Sequence, residues 1–206
     1  MADKYIQLVL TPSAQQAQDK YFGKHQTVEN APETDALTSD EVGFIGSRDS
    51  FYMATVSETG WPYVQHRGGP PGFLKILGPN FIGFADFKGN CQLVRTGNLG
   101  TTDRVALFMM DYPHRSRLKL LGHARVLAAR EHPELVDELA PESLRSKVQR
   151  LFLVQVISYD WNCPQYITPR FTAAEVEKHA APLKARIAEL EALLAARDGT
   201  EFGKDR

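Results

Sequence analysis

Two segments of the chain carry side chains whose types and spacing could do chemistry. Gln65-His66-Arg67 closes a β-type run just ahead of Gly68-Gly-Pro-Pro-Gly72. Three polar residues in succession put hydrogen-bonding groups on both faces of a strand end, so one face is either solvated or looks into a cleft. The second segment, Phe84-Ala-Asp-Phe-Lys-Gly-Asn-Cys-Gln92, leaves a strand, turns at Gly89 and opens a helix. Backbone N–H groups at such a helix start favour a phosphate, and Asn90 could add a side-chain donor. Asp86 could equally cap the turn through its own side chain.

Other chemistries lack their usual signals. Six histidines, at positions 25, 66, 114, 123, 132 and 179, form no HxH or HExxH pair, which leaves a metalloenzyme site with little support. No GxSxG, P-loop or GxGxxG occurs, so serine-hydrolase, NTPase and Rossmann readings fall away. Cys91 and Cys163 stand far apart without a CxxC partner, which disfavours a structural zinc site. Lys plus Arg is 24 and Asp plus Glu is 25; this balance argues against a dedicated nucleic-acid binder. The longest basic cluster, His114 to Lys119, is local. No apolar run approaches the ~18 residues that a membrane helix needs. The first residues lack the basic start and longer apolar stretch of a signal peptide, and the expected location is cytoplasmic. A chain of 206 residues buries enough surface to fold without a metal or disulfide staple.

The elements that must position the two segments are mostly strands. Residues 1–37 carry few core signals and read as an arm with one turn of helix. Thr38-Ser-Asp-Glu41 has capping-box spacing and opens a helix that ends near Arg48. Phe51–Val56 and Trp61–Arg67 form a hairpin around Ser57-Glu-Thr-Gly60. Phe73–Leu77 pairs with Phe81–Asp86, Gln92–Leu99 is a short helix, and Arg104–Met110 is a strand. Leu118–Ala128 is a long strand whose internal Gly122 predicts a bend or bulge. Pro133 begins a short helix, and Leu151–Ser158 is a strongly apolar strand. Thr172-Ala-Ala-Glu175 again has capping-box spacing. Val176, Ala180, Leu183, Ile187, Leu190 and Leu194 then form a heptad seam that either packs on its own domain or contacts a second subunit. Pro182 either restarts or kinks that helix. About seven short strands with few long helices point to an antiparallel barrel.

Taken as an ordered set, Phe51-Tyr-Met-Ala-Thr-Val, Thr59-Gly-Trp-Pro-Tyr-Val-Gln, Gly83-Phe-Ala-Asp-Phe-Lys-Gly-Asn, Asn98-Leu and Arg104-Val-Ala-Leu-Phe resemble the pyridoxamine 5′-phosphate oxidase-like superfamily. They resemble its flavin-nucleotide-binding members more closely. The resemblance implies a mainly β fold with flanking helices: an FMN-binding split β-barrel over 38–171, between an N-terminal arm (1–37) and a C-terminal helix and tail (172–206). It implies a homodimer with FMN at the subunit interface. Gln65, His66 and Arg67 would lie beside the isoalloxazine and ribityl chain, and Phe84, Ala85 and Asp86 would touch the ring or ribityl. Gly89, Asn90, Cys91 and Gln92 would sit where the family grips the phosphate. Arg117 would reach the flavin from the partner subunit, and Trp161 through Arg170 would close the site.

The chain departs from the family pattern twice. The phosphate turn of the relatives offers Arg or Lys, whereas Asn90, Cys91 and Gln92 are uncharged. Phosphate would then need a cation from elsewhere, with Arg67, Lys88 and Lys75 as candidates. The oxidase proper carries an Arg-Leu-His run after its C-terminal Trp, but Trp161 is followed by Asn-Cys-Pro-Gln-Tyr-Ile, so pyridoxamine phosphate oxidation itself is not expected. The resemblance therefore implies an FMN-dependent oxidoreductase passing electrons from a reduced donor such as NAD(P)H to a small acceptor or oxygen. The alternatives are a flavin-binding module for storage or redox sensing, and a binder of another planar cofactor such as haem or a deazaflavin.

Overall fold

The computed structural model describes residues 2–89, 92–161 and 164–201, with side chains described as far as residue 195. The chain divides into two units: Met1–Asp111 with Arg115–Tyr166, and Tyr112–His114 with Ile167–Arg206.

The first unit is built on one antiparallel sheet. Its strands are β1 (Ser50–Val56), β2 (Pro62–Gly68), β3 (Lys75–Gly78), β4 (Phe81–Phe87), β5 (Arg104–Asp111), β6 (Ser116–Ala128) and β7 (Val148–Trp161). They lie in the order β2-β1-β5-β6-β7-β4-β3. In a flat sheet β1 and β4, four places apart, would be separated by about 19 Å at ~4.8 Å per strand. Yet the Phe51 ring of β1 meets the Phe84 ring of β4 edge to face with 5.3 Å between centroids. The sheet is therefore rolled around its core, and the roll stays open between the edge strands β2 and β3. This is the expected split barrel.

The core follows from alternation. Phe51 and Met53 on β1, Ile82 and Phe84 on β4, Val105, Leu107 and Met109 on β5, Leu118 and Leu120 on β6, and Phe152, Val154 and Val156 on β7 all point inward. Hairpin β1–β2 turns at Ser57–Gly60, where Gly60 adopts φ 86° and its N–H donates to the Ser57 carbonyl.

The helices obey their start signals. In α3 (Ser39–Gly46) Thr38 and Glu41 close the expected capping box. The other Glu41 oxygen accepts from Trp161 Nε1 at 2.5 Å, tying α3 to the end of β7. The expectation of a single helical turn in the arm is corrected: the segment holds α1 (Asp3–Val9) and α2 (Pro12–Phe22). Thr11 followed by Pro12 at the first helical position was the overlooked start signal. Tyr5 and Ile6 of α1 are buried, whereas α2 buries nothing. Two more helices complete this unit, α4 (Val94–Leu99) and α5 (Pro133–Leu139). In the second unit, α6 (Ala173–Glu201) runs unbroken through Pro182. Thr172 and Glu175 form its capping box. Among the described residues, no helix is long and apolar enough to cross a membrane.

Gly122 behaves as its position in β6 predicts. The β6–β7 register shifts between Leu121 and Gly122, and a Cβ on Gly122 would meet the Gln155 carbonyl oxygen at 2.3 Å. Gly122→Ala should lower stability by about 2 kcal/mol through this forced separation of strands. Gly43→Ala, with nothing within 4 Å of the added Cβ in α3, should leave stability unchanged or raise it by up to about 1 kcal/mol. Urea unfolding midpoints check both. An unchanged midpoint for Gly122→Ala would mean that β6 and β7 do not approach so closely there.

Candidate functional site

The split of the barrel gathers charge. Along β2, Tyr63, Gln65 and Arg67 are half-buried while the alternate residues are exposed. They sit on the inward face because their partners Thr55, Met53 and Phe51 on β1 are buried core positions. His66 points to the other face, edge-on to Tyr52 with 5.5 Å between ring centroids.

Asp86 shares the inward face of β4 with Ile82 and Phe84 and is only 7% exposed. Three guanidinium groups converge on it. Arg150, its direct cross-strand partner on β7, holds Oδ2 with Nε at 2.9 Å and Nη2 at 2.8 Å. Arg67 reaches across the split from β2 to Oδ1. Arg95, in the first turn of α4, places Nη2 3.4 Å from the same Oδ1 and donates from Nη1 to Gln65 Oε1 at 3.1 Å. Its guanidinium lies 3.9 Å from the centroid of the Phe152 ring, an arrangement suited to the flat face of Arg. Beneath it Phe152 stacks on Phe84 at 5.0 Å.

The cluster is charge-imbalanced. Three arginines against one carboxylate leave a formal charge of 3 − 1 = +2. Burial, and then the Arg67 charge, push the Arg95 pKa down to about 10, so it remains charged near neutral pH. Burial alone would raise the Asp86 pKa, but the charge and hydrogen bond of Arg67, the Arg150 bond and the Arg95 charge outweigh it and hold the carboxyl below its usual range. Arg95 Nε is buried with no hydrogen-bond partner among the described residues, an unmet donor at the centre of a positive site.

A cavity of about 120 Å³ opens beside these groups, lined by Tyr63, Gln65, Arg67, Asp86, Arg95 and Arg150, together with Gly89, Gln92 and Thr96 from the turn and α4. Leu93, just before α4, adopts φ 51°, a left-handed conformation that costs a non-glycine residue of order 1 kcal/mol or more.

Of the residues singled out from sequence, Gln65, Arg67, Asp86, Gly89 and Gln92 line this cavity. Asn90 and Cys91 lie outside the described residues. Phe84 is buried beneath the cluster and does not line it. Ala85 faces the other side of β4, where it lines a separate cavity of about 430 Å³ together with Lys75. Lys88 is exposed. Arg117 lies near Phe108 and 4.0 Å from Asp160. Trp161 packs edge-on against Phe44 at 4.9 Å and holds Glu41. Arg170 belongs to the second unit, where its guanidinium lies 5.0 Å from the Tyr112 ring.

Sequence reasoning missed Arg95 and Arg150. Arg95 had a readable signal: a cation in the first turn of a helix opposes the helix dipole, and α4 has no acidic residue there to compensate. Such a placement calls for a negative partner elsewhere. Arg150 became visible only through the β4–β7 register.

Asp86→Asn leaves buried Arg95 and partly buried Arg67 and Arg150 without a counter-charge and should cost roughly 3 kcal/mol near neutral pH. A carboxyl whose folded pKa lies below the unfolded value of about 3.9 contributes stability that is fully present above that value and is lost as pH falls through the folded one. The gap between wild type and variant should therefore shrink below about pH 4. Urea midpoints at pH 7 and pH 3 measure it, and a pH-independent gap would count against the role of the charge.

No protein-family model matches the chain, and no curated protein matches it. Solved structures do. A putative pyridoxamine 5′-phosphate oxidase from Lactobacillus delbrueckii is similar over 62% of this chain and 95% of its own, at 21% identity and a TM-score of 0.48. An FMN-binding protein from Syntrophomonas wolfei is similar over 59% of this chain and 86% of its own, at 10% identity and a TM-score of 0.41. An F420 reductase is similar over 60% of this chain and 98% of its own, at 14% identity and a TM-score of 0.43. In fold, the chain is similar to solved proteins of the pyridoxamine 5′-phosphate oxidase family.

Proposed function

We propose that this protein binds FMN and uses it as an oxidoreductase, with the FMN phosphate held by Arg67, Arg95 and Arg150. The observation that carries this reading is the formal +2 charge gathered around Asp86 beside a cavity. A phosphate monoester, close to a dianion at neutral pH, matches that charge. Arg95 Nε is a buried donor without a partner among the described residues, and planar guanidinium forks suit phosphate oxygens. The cations absent from 90–92 are thus supplied by α4 and β7. This removes the reason to prefer a ligand without a phosphate.

The cavity of about 120 Å³ is smaller than the ~300–1,000 Å³ usual for a whole cofactor-sized ligand. The ring system would therefore lie against a second surface, and a homodimer provides one. The outer sheet face carries exposed Tyr52, Val64 and Phe108, brought together by the pairing of β1 with β2 and β5. They line an apolar hollow of about 430 Å³ that a second subunit would cover. Bound flavin would supply the electron-transfer chemistry. The protein's part is to neutralise the phosphate, to exclude water, and to admit a reduced donor, NAD(P)H being the first to test. A cytoplasmic setting belongs to the same reading.

Purified protein, loaded with FMN and freed of excess, should retain flavin absorbance. Arg95→Ala and Arg150→Ala should each raise the FMN dissociation constant roughly 10- to 100-fold, the worth of a hydrogen bond to a charged group. Riboflavin, which lacks the phosphate, should bind wild type at least that much more weakly. Equal affinity for the two flavins would refute the phosphate assignment. Tight FMN binding with NAD(P)H turnover no faster than free flavin would leave a binding module and remove the enzyme.

A further inference from the structure

We propose that α6 pairs in parallel with α6 of a second copy of this chain, as a dimer contact separate from the barrel. The helix is 29 residues long. Val176, Leu183, Ile187, Leu190 and Leu194 along it are 42–68% exposed. With Ala180 they recur at intervals of 4, 3, 4, 3 and 4. A helix lying on its own globular body presents a broader apolar stripe, whereas this narrow seam is the pattern of a helix meeting another helix.

Three features choose the partner and its direction. Leu183 and Leu190 occupy d positions and Ile187 an a position, a combination that within parallel pairs favours two strands over three or four. In a parallel pair Arg186 at a g position falls opposite Glu191 at the partner's e position, and symmetry makes this contact twice. An antiparallel pair that keeps the whole seam in contact would set Lys184 beside its own copy and Glu177 beside Glu191, both repulsive. Within one helix Arg186 already bonds Glu189 at 2.6 Å; both are exposed, so this bond is readily exchanged. Pro182 lies at a c position, off the seam, and the strongest layers follow it. Upstream, small Ala180 leaves an apolar hollow of about 440 Å³ with Phe171, Val176 and Leu183.

So short a seam is weak alone. The inference rests on the homodimer proposed above, which would raise the effective concentration of the two helices to roughly millimolar.

The test uses the full chain with Cys91→Ser and Cys163→Ser, carrying Leu190→Cys on the seam or Ala185→Cys on the outer face. Under mild oxidation Leu190→Cys should form a disulfide-linked dimer, and Ala185→Cys should do so roughly tenfold more slowly, because outer positions do not meet. Adding Arg186→Glu should slow the Leu190→Cys cross-link several-fold, and adding Glu191→Arg as well should restore it. Light scattering on the same proteins kept reduced, before any cross-link forms, separates the two readings. A dimer by mass without the 190–190 cross-link, or with equal rates from both sites, overturns the helix pairing and leaves the barrel dimer standing. A monomer by mass overturns both.

Discussion

The Asp86 carboxylate is the constraint on which the open side of the barrel depends. Edge strand β2 is hydrogen-bonded on one side only. What ties its free side to β4 is the Arg67–Asp86 bridge. The same carboxylate anchors α4 through Arg95 and meets β7 through Arg150. Removing water from four charged groups is costly, and a buried ion pair is rarely the most stable solution for a fold. Apolar side chains would have closed the split more cheaply. That the chain places three cations around one anion is a local conflict of the kind found where binding, and not stability, sets the residues.

The way the positive charge is buried bears on what it can do. Arg95 lies over the Phe152 face, with Nη2 turned to the carboxylate and Nη1 donating to Gln65. It is fixed by contacts on several sides before any ligand arrives, so little ordering entropy would be spent on binding an anion. A lysine could not substitute, because a compact ammonium lacks the planar face and the fork that let one side chain satisfy ring, amide and carboxylate together. Two residues ahead of it, Leu93 adopts the left-handed conformation, which is unfavourable for a non-glycine residue.

How much of this could be read from sequence depended on the range of the interaction. Local signals were legible: the capping boxes at Thr38–Glu41 and Thr172–Glu175, the Gly60 turn and the Gly122 bulge each rest on chemistry within a few residues. The alternation of Gln65 and Arg67 with His66 was legible as two faces, but which face looked inward required knowing that Phe51 and Met53 lay opposite. Arg150 could not be found at all without the β4–β7 register, since 64 residues separate it from Asp86. α1 was missed for a related reason. Its Tyr5 is buried beside Lys119, whose ammonium lies 4.7 Å from the ring, a partner that no local pattern announces.

Two apolar surfaces remain outside the core, and their geometry differs in a way that bears on assembly. The outer face of β1, β2 and β5 is broad, because strands about 4.8 Å apart spread side chains in two dimensions. Such a face suits a large, flat contact. The α6 seam is narrow, widened only at its end by exposed Leu193 beside Leu194, and suits another helix. Were α6 merely a cap for the sheet, its apolar residues would have widened to the stripe that a flat surface requires. They stay on a 3.5-residue period, and the flanking positions carry Glu177, His179, Lys184, Arg186 and Glu191, with exposed Leu193 the one large apolar residue among them. Charges at these flanks leave the seam's own area unchanged and act on which helix it accepts and in which direction. On the proposed pairing, these flanking charges would select which helix the seam accepts.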